Sequence, residues 1–115
     1  MLLFPDNIPV FLRTGATDMR KSINGLSAIV QNEMKQDPFH AGYFVFCNKG
    51  RRLLKILYWD RNGFAMWYKR LEEEKFAWPK GVADTMAVSK QQIEWLLAGL
   101  EWRRAHKTLS YSYSS

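Results

Sequence analysis

A dense group of cations between residues 49 and 70 is the part of this sequence best suited to chemistry. The stretch holds seven Lys or Arg residues against a single acid, Asp60, and its net charge of +6 equals that of the whole chain. Eight aromatic residues lie between Tyr43 and Tyr68. Cations bind phosphate oxygens and aromatic rings stack on bases, so this combination favours a nucleic acid as partner. The alternative is a solvated basic rim around an aromatic core.

The alternation of side chains along a strand limits how many of these residues can share one surface. In the central strand of the stretch, Leu54, Ile56 and Tyr58 lie on one face. The opposite face carries Leu53, Lys55, Leu57 and Trp59. Both faces are therefore largely apolar, and the sequence leaves open that both are covered by other parts of the chain.

Two further groups of cations lie outside this stretch. Arg20 and Lys21 fall in the predicted first turn of a helix, where cations oppose the positive end of the helix dipole. Their placement requires compensation, either by an acid such as Asp18 or by an external phosphate at the helix N-terminus. Arg103 lies in the basic segment 102–107, which is either an arm that follows a nucleic-acid backbone or a docked terminus.

Signals for catalysis are weak in this sequence. It has no G-x-x-x-x-G-K phosphate loop, no dinucleotide fingerprint, and no Ser, His and acid set in a known arrangement. We interpret Cys47 as a buried strand residue rather than a nucleophile. The spacing of Asp18, Asp60 and Glu101 does not support a metal site, and one Cys with two His residues disfavours zinc. We therefore expect no enzyme activity, no bound metal and no cofactor.

Length and composition place the chain among globular proteins. With 115 residues it has room for one domain, and 47% hydrophobic and 24% charged residues are ordinary globular values. We expect one domain over residues 1–109 and a flexible Ser and Tyr tail over residues 110–115. No apolar run reaches the ~18 to 20 residues that span a bilayer, and no signal peptide is recognisable. These features predict a cytoplasmic protein with no membrane partner.

The elements that must position the cations begin with a short strand at residues 9–13. A helix is predicted to start at Thr17 or Asp18, either of which can cap it, and to end before Pro38. Its apolar residues recur every three or four positions, which is typical of an amphipathic helix. They are Met19, Ile23, Leu26, Val30 and Met34.

The middle of the sequence alternates between strands and turns. Strands are predicted at residues 43–47, 53–59, 64–71 and 75–78, and residues 80–88 are expected to form a loop. The dipeptide Asn62-Gly63, between the second and third of these strands, is a strong hairpin signal.

A second helix is predicted after Ser89, which can form a capping box with Gln92. Its apolar stripe is Ile93, Leu96, Leu97 and Leu100, and Gly99 is the expected stop. The order strand, helix, meander, helix predicts an α+β fold, an antiparallel four- to five-stranded meander sheet with two helices packed on one face.

Ordered segments along most of the chain resemble a known family. The carrying segments are Thr17-Asp18-Met19-Arg20-Lys21, Asn24-Gly25-Leu26-Ser27, Asp37-Pro38-Phe39, Phe44-Val45-Phe46, Leu54-Lys55-Ile56-Leu57-Tyr58-Trp59-Asp60, Gly63, Lys69-Arg70-Leu71-Glu72, Phe76-Ala77-Trp78-Pro79, Leu96-Leu97-Ala98-Gly99 and Trp102-Arg103. From about Val10 to Trp102 the chain resembles the small accessory protein of bacterial insertion sequences of the family numbered sixty-six. That protein is the product of the second open reading frame and is often called TnpB.

This resemblance implies a role in DNA transposition. Such elements encode a separate, larger transposase that carries the cutting chemistry, whereas the small protein has no assigned catalytic residues. The implied partners are DNA at the element ends, the transposase and other proteins of the same element, and a homo-oligomer remains open. The chain departs from the family pattern at Glu73-Glu74, where members often have a glycine in the turn.

Two hypotheses follow from charge and resemblance together. The first is a non-catalytic, DNA-binding accessory subunit, with phosphate contacts predicted at Arg20, Lys21, Lys49, Arg51, Arg52, Lys55, Arg61 and Arg103. The alternative is a protein-protein bridging module for the transposase that makes no direct DNA contact. The excess of aromatic residues motivates the second hypothesis, because exposed Trp and Tyr side chains together with Arg anchor protein interfaces.

Overall fold

The computed structural model of the chain describes residues 4–40 and 42–99. Their elements, in chain order, are β1 (Val10–Arg13), α1 (Ile23–Asn32), β2 (Tyr43–Cys47), β3 (Leu53–Asp60), β4 (Gly63–Arg70), β5 (Thr85–Val88) and α2 (Lys90–Leu97). The five strands form one sheet in the order β4-β3-β2-β1-β5. The α+β class expected from the sequence is confirmed.

The strands β2, β3 and β4 form the predicted antiparallel meander. The β2–β3 turn is held by Asn48, whose side-chain oxygen accepts hydrogen bonds from the N–H groups of Arg52 and Leu53 at 3.0 Å each. The β3–β4 hairpin has a two-residue loop, in which Arg61 takes a left-handed backbone conformation with φ of 56°. The hairpin prediction from Asn-Gly is therefore confirmed, although Arg61 rather than Gly63 takes the positive φ.

The first strand departs from a purely antiparallel sheet. β1 pairs in parallel with β2 and antiparallel with β5, so the sheet is mixed. A parallel pair needs a long crossover connection, and here residues 14–42 supply it with α1 inside the connection.

The fifth strand lies at Thr85–Val88 and not at residues 75–78 as predicted. Phe76 and Trp78 are buried as a strand pattern would require, but the Phe76 N–H bonds to the carbonyl of Arg51 in a turn and no ladder forms. Met86 and Val88 pack against the core beside β1, whose outer edge would otherwise be open. The segment expected to be a loop therefore supplies the edge strand.

The two helices lie on opposite faces of the sheet, which corrects the prediction that both lie on one face. The α1 side chains pack with Phe44, Phe46 and Leu57. Those of α2 pack on the other face with strand residues Val10, Leu12, Val45, Cys47, Leu54 and Ile56. Because β2 and β3 are apolar on both faces, each face requires its own cover.

Helix α1 begins five residues or so later than predicted. Thr17 is held at the end of β2, where its N–H bonds to the carbonyl of Cys47 at 2.8 Å, and Asp18 forms a turn by accepting the Arg20 N–H. Both residues therefore belong to the β1–α1 loop. The predicted apolar stripe is confirmed in part. Ile23, Leu26 and Val30 lie on α1, whereas Met19 precedes the helix and Met34 follows it, although all five side chains pack in the same cluster.

Helix α2 agrees with its sequence signals. The Ser89 side chain accepts the Gln92 N–H, and the Gln92 side chain accepts the Ser89 N–H, so the predicted capping box is present. Gly99 follows the helix with φ of 80°. Leu100 lies outside the described residues. Within the described ranges, neither helix has the length and apolar character needed to cross a bilayer.

Candidate nucleic-acid interface

Three of the described cations predicted to bind phosphate lie at opposite ends of β3. Arg51 and Arg52 precede β3, whereas Arg61 follows it, and an eight-residue strand places the two ends about 26 Å apart. Arg51 and Arg61 both have left-handed backbones, with φ of 60° and 56°. The continuous basic stretch of the sequence is therefore not a continuous basic surface.

Four of the seven cations in this stretch are bound within the protein. Lys55 donates from Nζ to the Met19 carbonyl at 2.8 Å and the Lys21 carbonyl at 3.2 Å. The remaining three bonds are Lys69 Nζ to the Leu97 carbonyl at 2.9 Å, Arg52 Nη1 to the Glu72 carbonyl at 3.1 Å, and Arg70 Nε to the Glu72 carboxylate at 2.8 Å. Lys49, Arg51 and Arg61 are left with no such side-chain bond among the described residues.

Lys49 and Arg51 line a cavity at the end of the sheet where β1 and β2 finish. The cavity has a volume of about 210 Å³ and is walled by three loops, those after β1, after β2 and before β5. Its described lining residues are Gly15, Ala16, Asn48, Lys49, Arg51, Trp78, Pro79, Lys80 and Gly81. We call this cavity the cationic pocket, since it contains three cations and its described lining includes no acid.

The walls of the cationic pocket are fixed by hydrogen bonds between distant parts of the chain. Trp78 donates its indole N–H to the Gly15 carbonyl at 2.8 Å, and the Gly15 N–H donates to the Pro79 carbonyl at 2.9 Å. The buried hydroxyl of Thr14 donates to the Val82 carbonyl at 2.9 Å. The first and third loops therefore form one rigid wall.

Lys80 was missed as a candidate by sequence reasoning. It lies 29 residues after Arg51 in an apparent loop, so no local charge cluster marks it. The bonds of Trp78 and Pro79 to Gly15, together with the bond from the Phe76 N–H to the Arg51 carbonyl, bring Lys80 to the same cavity as Arg51. The sequence Pro79-Lys80-Gly81 predicts a turn, but it does not predict which part of the chain packs against that turn.

Arg20 is partnered by an acid, one of the two alternatives left open by the sequence. Its guanidinium contacts both carboxylate oxygens of Asp18, with Nη2 to Oδ2 at 2.7 Å. The hydrogen bond from Arg20 lowers the pKa of Asp18 to about 2, and the pKa of Arg20 is raised in return. Both side chains remain well exposed, so the pair is accessible at the surface of the β1–α1 loop.

Two other residues were predicted to contact phosphate, Lys21 and Arg103. Lys21 is exposed and lies in the loop before α1, so the helix-dipole argument made for it does not apply. Arg103, its basic segment 102–107 and the Ser and Tyr tail all lie outside the described residues.

The residues considered for catalysis do not converge. Asp18 is near the Cys47 end of the sheet, whereas Asp60 is at the opposite end of β3, and Glu101 lies outside the described residues. Cys47 is buried in β2, as predicted, and this burial raises its pKa to about 12. Among residues 4–40 and 42–99, no three His, Cys, Asp or Glu side chains gather as metal ligands would.

Most of the aromatic residues in the described ranges belong to the core, but one group reaches the surface. Phe39 is 56% exposed, and its ring contacts Trp59 and Phe64 at centroid distances of 5.3 and 5.2 Å. Tyr68, on the same face of β4 as Phe64, is 65% exposed. We call Phe39, Trp59, Phe64 and Tyr68 the aromatic surface.

The fold and these contacts define a small α+β domain with a cationic pocket at one end of a mixed sheet. Residues 8–107 match the family described as IS66 Orf2 like protein. The chain is 35% identical over 108 residues to "Uncharacterized protein y4hO" of Sinorhizobium fredii (strain NBRC 101917 / NGR234), covering 94% of each chain. It is 33% identical over 98 residues to "Uncharacterized protein y4jC" of the same strain, covering 85% of this chain and 84% of the relative.

The chain therefore belongs to the IS66 Orf2-like family and is an accessory protein of an insertion sequence. This confirms the resemblance seen in its segments. No solved structure gives a significant match.

Proposed function

We propose that this protein is a non-catalytic accessory factor in transposition that binds DNA through the cationic pocket and the loops around it. The observation that carries the proposal is the convergence of Lys49, Arg51 and Lys80 from two loops onto one cavity, with no acid among its described lining residues. Their side chains have no hydrogen-bond or ion-pair partner within residues 4–40 and 42–99. Cations left unpaired are available to neutralise backbone phosphates.

The surroundings of the pocket define the extent of this surface. Lys21 is exposed on the adjoining β1–α1 loop, and Arg20 can exchange Asp18 for a phosphate without leaving the surface. The exposed acids 72–74 lie next to Arg52, which donates to the Glu72 carbonyl, and they disfavour a strand of DNA there. Lys55 and Arg61 are not part of the proposed surface, because the first is bound to carbonyls and the second lies at the opposite end.

The test is binding of the purified protein to a labelled duplex of the element's terminal inverted repeat, compared with a scrambled duplex at about 50 and about 200 mM salt. We expect affinity to fall steeply with salt. Changing Lys49, Arg51 and Lys80 together to Gln should make the slope of log affinity against log salt shallower by about 2 to 3.

Two single variants serve as comparisons. Lys35→Gln removes an exposed cation that has a left-handed φ of 58° like that of Arg51, but lies outside the pocket. Arg61→Gln removes the cation of the hairpin loop. Both should retain the wild-type slope, whereas absence of binding to either duplex at low salt would contradict the proposal.

The aromatic surface supports a second candidate function, a bridge to the transposase. Exposed aromatic rings beside half-buried ones are suited to anchor a protein contact, and Phe39 packs on Trp59 and Phe64 in this way. This hypothesis predicts co-purification with the transposase in high salt. Phe39→Ser should weaken the complex, while the pocket variant should leave it intact.

A further inference from the structure

The cationic pocket has more positive charge and a more concave shape than contact with a duplex backbone requires. Each backbone phosphate carries one negative charge and lies on a convex surface. The pocket gathers Lys49, Arg51 and Lys80 around a recess of about 210 Å³. This is smaller than the roughly 300–1,000 Å³ of sites that hold whole small molecules. Its size therefore fits a small, highly charged group.

Asn48 also lines this cavity, with its side-chain amide held in one orientation. Its side-chain oxygen is occupied by the N–H groups of Arg52 and Leu53, at 3.0 Å each. This fixes which way the amide points. Its Nδ2 has no partner within the described residues and belongs to a side chain that lines the pocket. The pocket lining thus combines an amide side chain of fixed orientation with three cations.

The wall of the pocket contains a close backbone contact at Gly15. A Cβ added there would lie 2.8 Å from the carbonyl oxygen of Gly81, and Gly15 has φ of +76°. The neighbouring lining residues Ala16 and Gly81 are small as well. These small residues, together with the hydrogen bonds of Trp78 and Pro79 to Gly15, let the two loops approach closely and fix one wall of the recess.

We infer that the cationic pocket receives a terminal phosphomonoester of a DNA strand, so that the protein distinguishes DNA ends from continuous duplex. A phosphomonoester carries about −1.5 to −2 charge near pH 7 and three acceptor oxygens. The guanidinium of Arg51 can bind two of these oxygens in a bidentate manner, with the lysines as point charges. This inference rests on the proposed function, since it assigns a ligand to the same surface.

The experiment compares three short duplexes of one sequence that differ only at their ends. One has terminal phosphates, one has terminal hydroxyls, and one is closed by hairpin loops at both ends. Separate phosphate-ended duplexes carry the group at the 5′ or the 3′ end. We expect at least one phosphate-ended duplex to bind about 10-fold more tightly than the closed duplex, and phosphatase treatment to remove the difference.

Variants and a competitor assign the effect to the pocket. Lys49→Gln with Lys80→Gln should abolish the preference for phosphate ends, and Arg51→Gln alone should reduce it, while Lys35→Gln should keep it. Inorganic phosphate should compete away the end preference before it affects binding of the closed duplex. A preference that survives saturating inorganic phosphate, or that persists in the double variant, would overturn the inference.

The remaining outcomes separate this inference from the proposed function. Equal, salt-sensitive binding of all duplexes would overturn the phosphomonoester site and leave DNA binding in place. Absence of binding to every duplex at low salt would overturn both. Circular dichroism of each variant shows that a lost preference is not lost folding, since the exposed Lys49 and Lys80 make no contact that the fold requires.

Discussion

The indole N–H of Trp78 donates a hydrogen bond to the carbonyl oxygen of Gly15 at 2.8 Å, across 63 residues of sequence. This bond joins residues 75–78, which were predicted to be a strand, to the β1–α1 loop, part of which was predicted to be helical. Neither segment forms the predicted element, and the two instead pack against each other. Together these two loops form a wall of the cationic pocket.

Replacing Trp78 by Phe should destabilise the protein by about 1–3 kcal/mol, because the Gly15 carbonyl loses its donor and a small cavity replaces part of the indole. Urea unfolding followed by circular dichroism measures the change. Tyr68→Phe is the matched control, since Tyr68 is 65% exposed and has no side-chain hydrogen bond among the described contacts. It should stay within about 0.5 kcal/mol of wild type. Equal effects of both changes would contradict the importance of this bond.

Replacing Gly15 by Ala should cost about 1–3 kcal/mol, since an L side chain is strained at φ of +76° and its Cβ would meet the Gly81 oxygen at 2.8 Å. Gly63→Ala is the comparison, because a Cβ there has no neighbour within 4 Å. That change should be neutral or stabilise slightly. Thermal unfolding of both variants measures the difference in stability. A Gly15→Ala protein as stable as wild type would show that the pocket wall can shift to accommodate the Cβ.

Lys55→Met should lower stability and leave DNA affinity unchanged. The ammonium of Lys55 bonds to the carbonyls of Met19 and Lys21, and its loss should cost about 1–2 kcal/mol while Met keeps the packing of the stem. Lys49→Met, at an exposed position, should be near neutral for stability. Unchanged stability together with weakened DNA binding would indicate that Lys55 contacts phosphate instead.

The carboxyl group of Asp18 should titrate with a pKa of about 2 in the folded protein. Because this is below the unfolded value of 3.8, the pair with Arg20 stabilises the fold above about pH 4, and this contribution is lost as pH falls toward 2. NMR titration of the side-chain carbons should show the Asp18 pKa rising toward 3.8 in Arg20→Ala. Asp6, whose pKa is lowered by Lys90, should be unaffected in the same spectra. An unshifted Asp18 would contradict the ion pair.

Cys47 should be inert toward alkylating reagents in the folded protein. Burial raises the pKa of its thiol from 9.0 to about 12, so at pH 8 the thiolate fraction falls about 1,000-fold. Reaction with iodoacetamide followed by mass spectrometry should show slow modification without denaturant and rapid modification with it. Rapid labelling of the native protein would indicate that β2 opens readily.

Periodicity and local turn chemistry made several elements predictable. The stripe of Leu26, Val30 and Met34, the Ser89 capping box and the hairpin near Asn62-Gly63 all rest on contacts within a few residues of one another. The family, too, was recognisable from ordered local segments.

Features that depend on distant partners were mispredicted. Residues 75–78 alternate like a strand, but Phe76 bonds to the carbonyl of Arg51 and Trp78 to that of Gly15, so no strand ladder forms. Thr85–Val88 becomes a strand instead, because the edge of β1 is free to pair. The helices lie on opposite faces because β2 and β3 are apolar on both sides. This pattern is visible in the sequence, but it does not determine which segment packs on which face.

By itself the sequence determined the α+β class, the family and the presence of a basic, aromatic stretch, because these follow from composition and local order. Only the tertiary structure decided which cations are available. It bonded Lys55 to backbone carbonyls, placed Arg61 at the far end of β3, and brought Lys80 beside Arg51. The physical reason is that charge is a property of a residue, whereas a binding site requires charges whose partners and distances are set by packing.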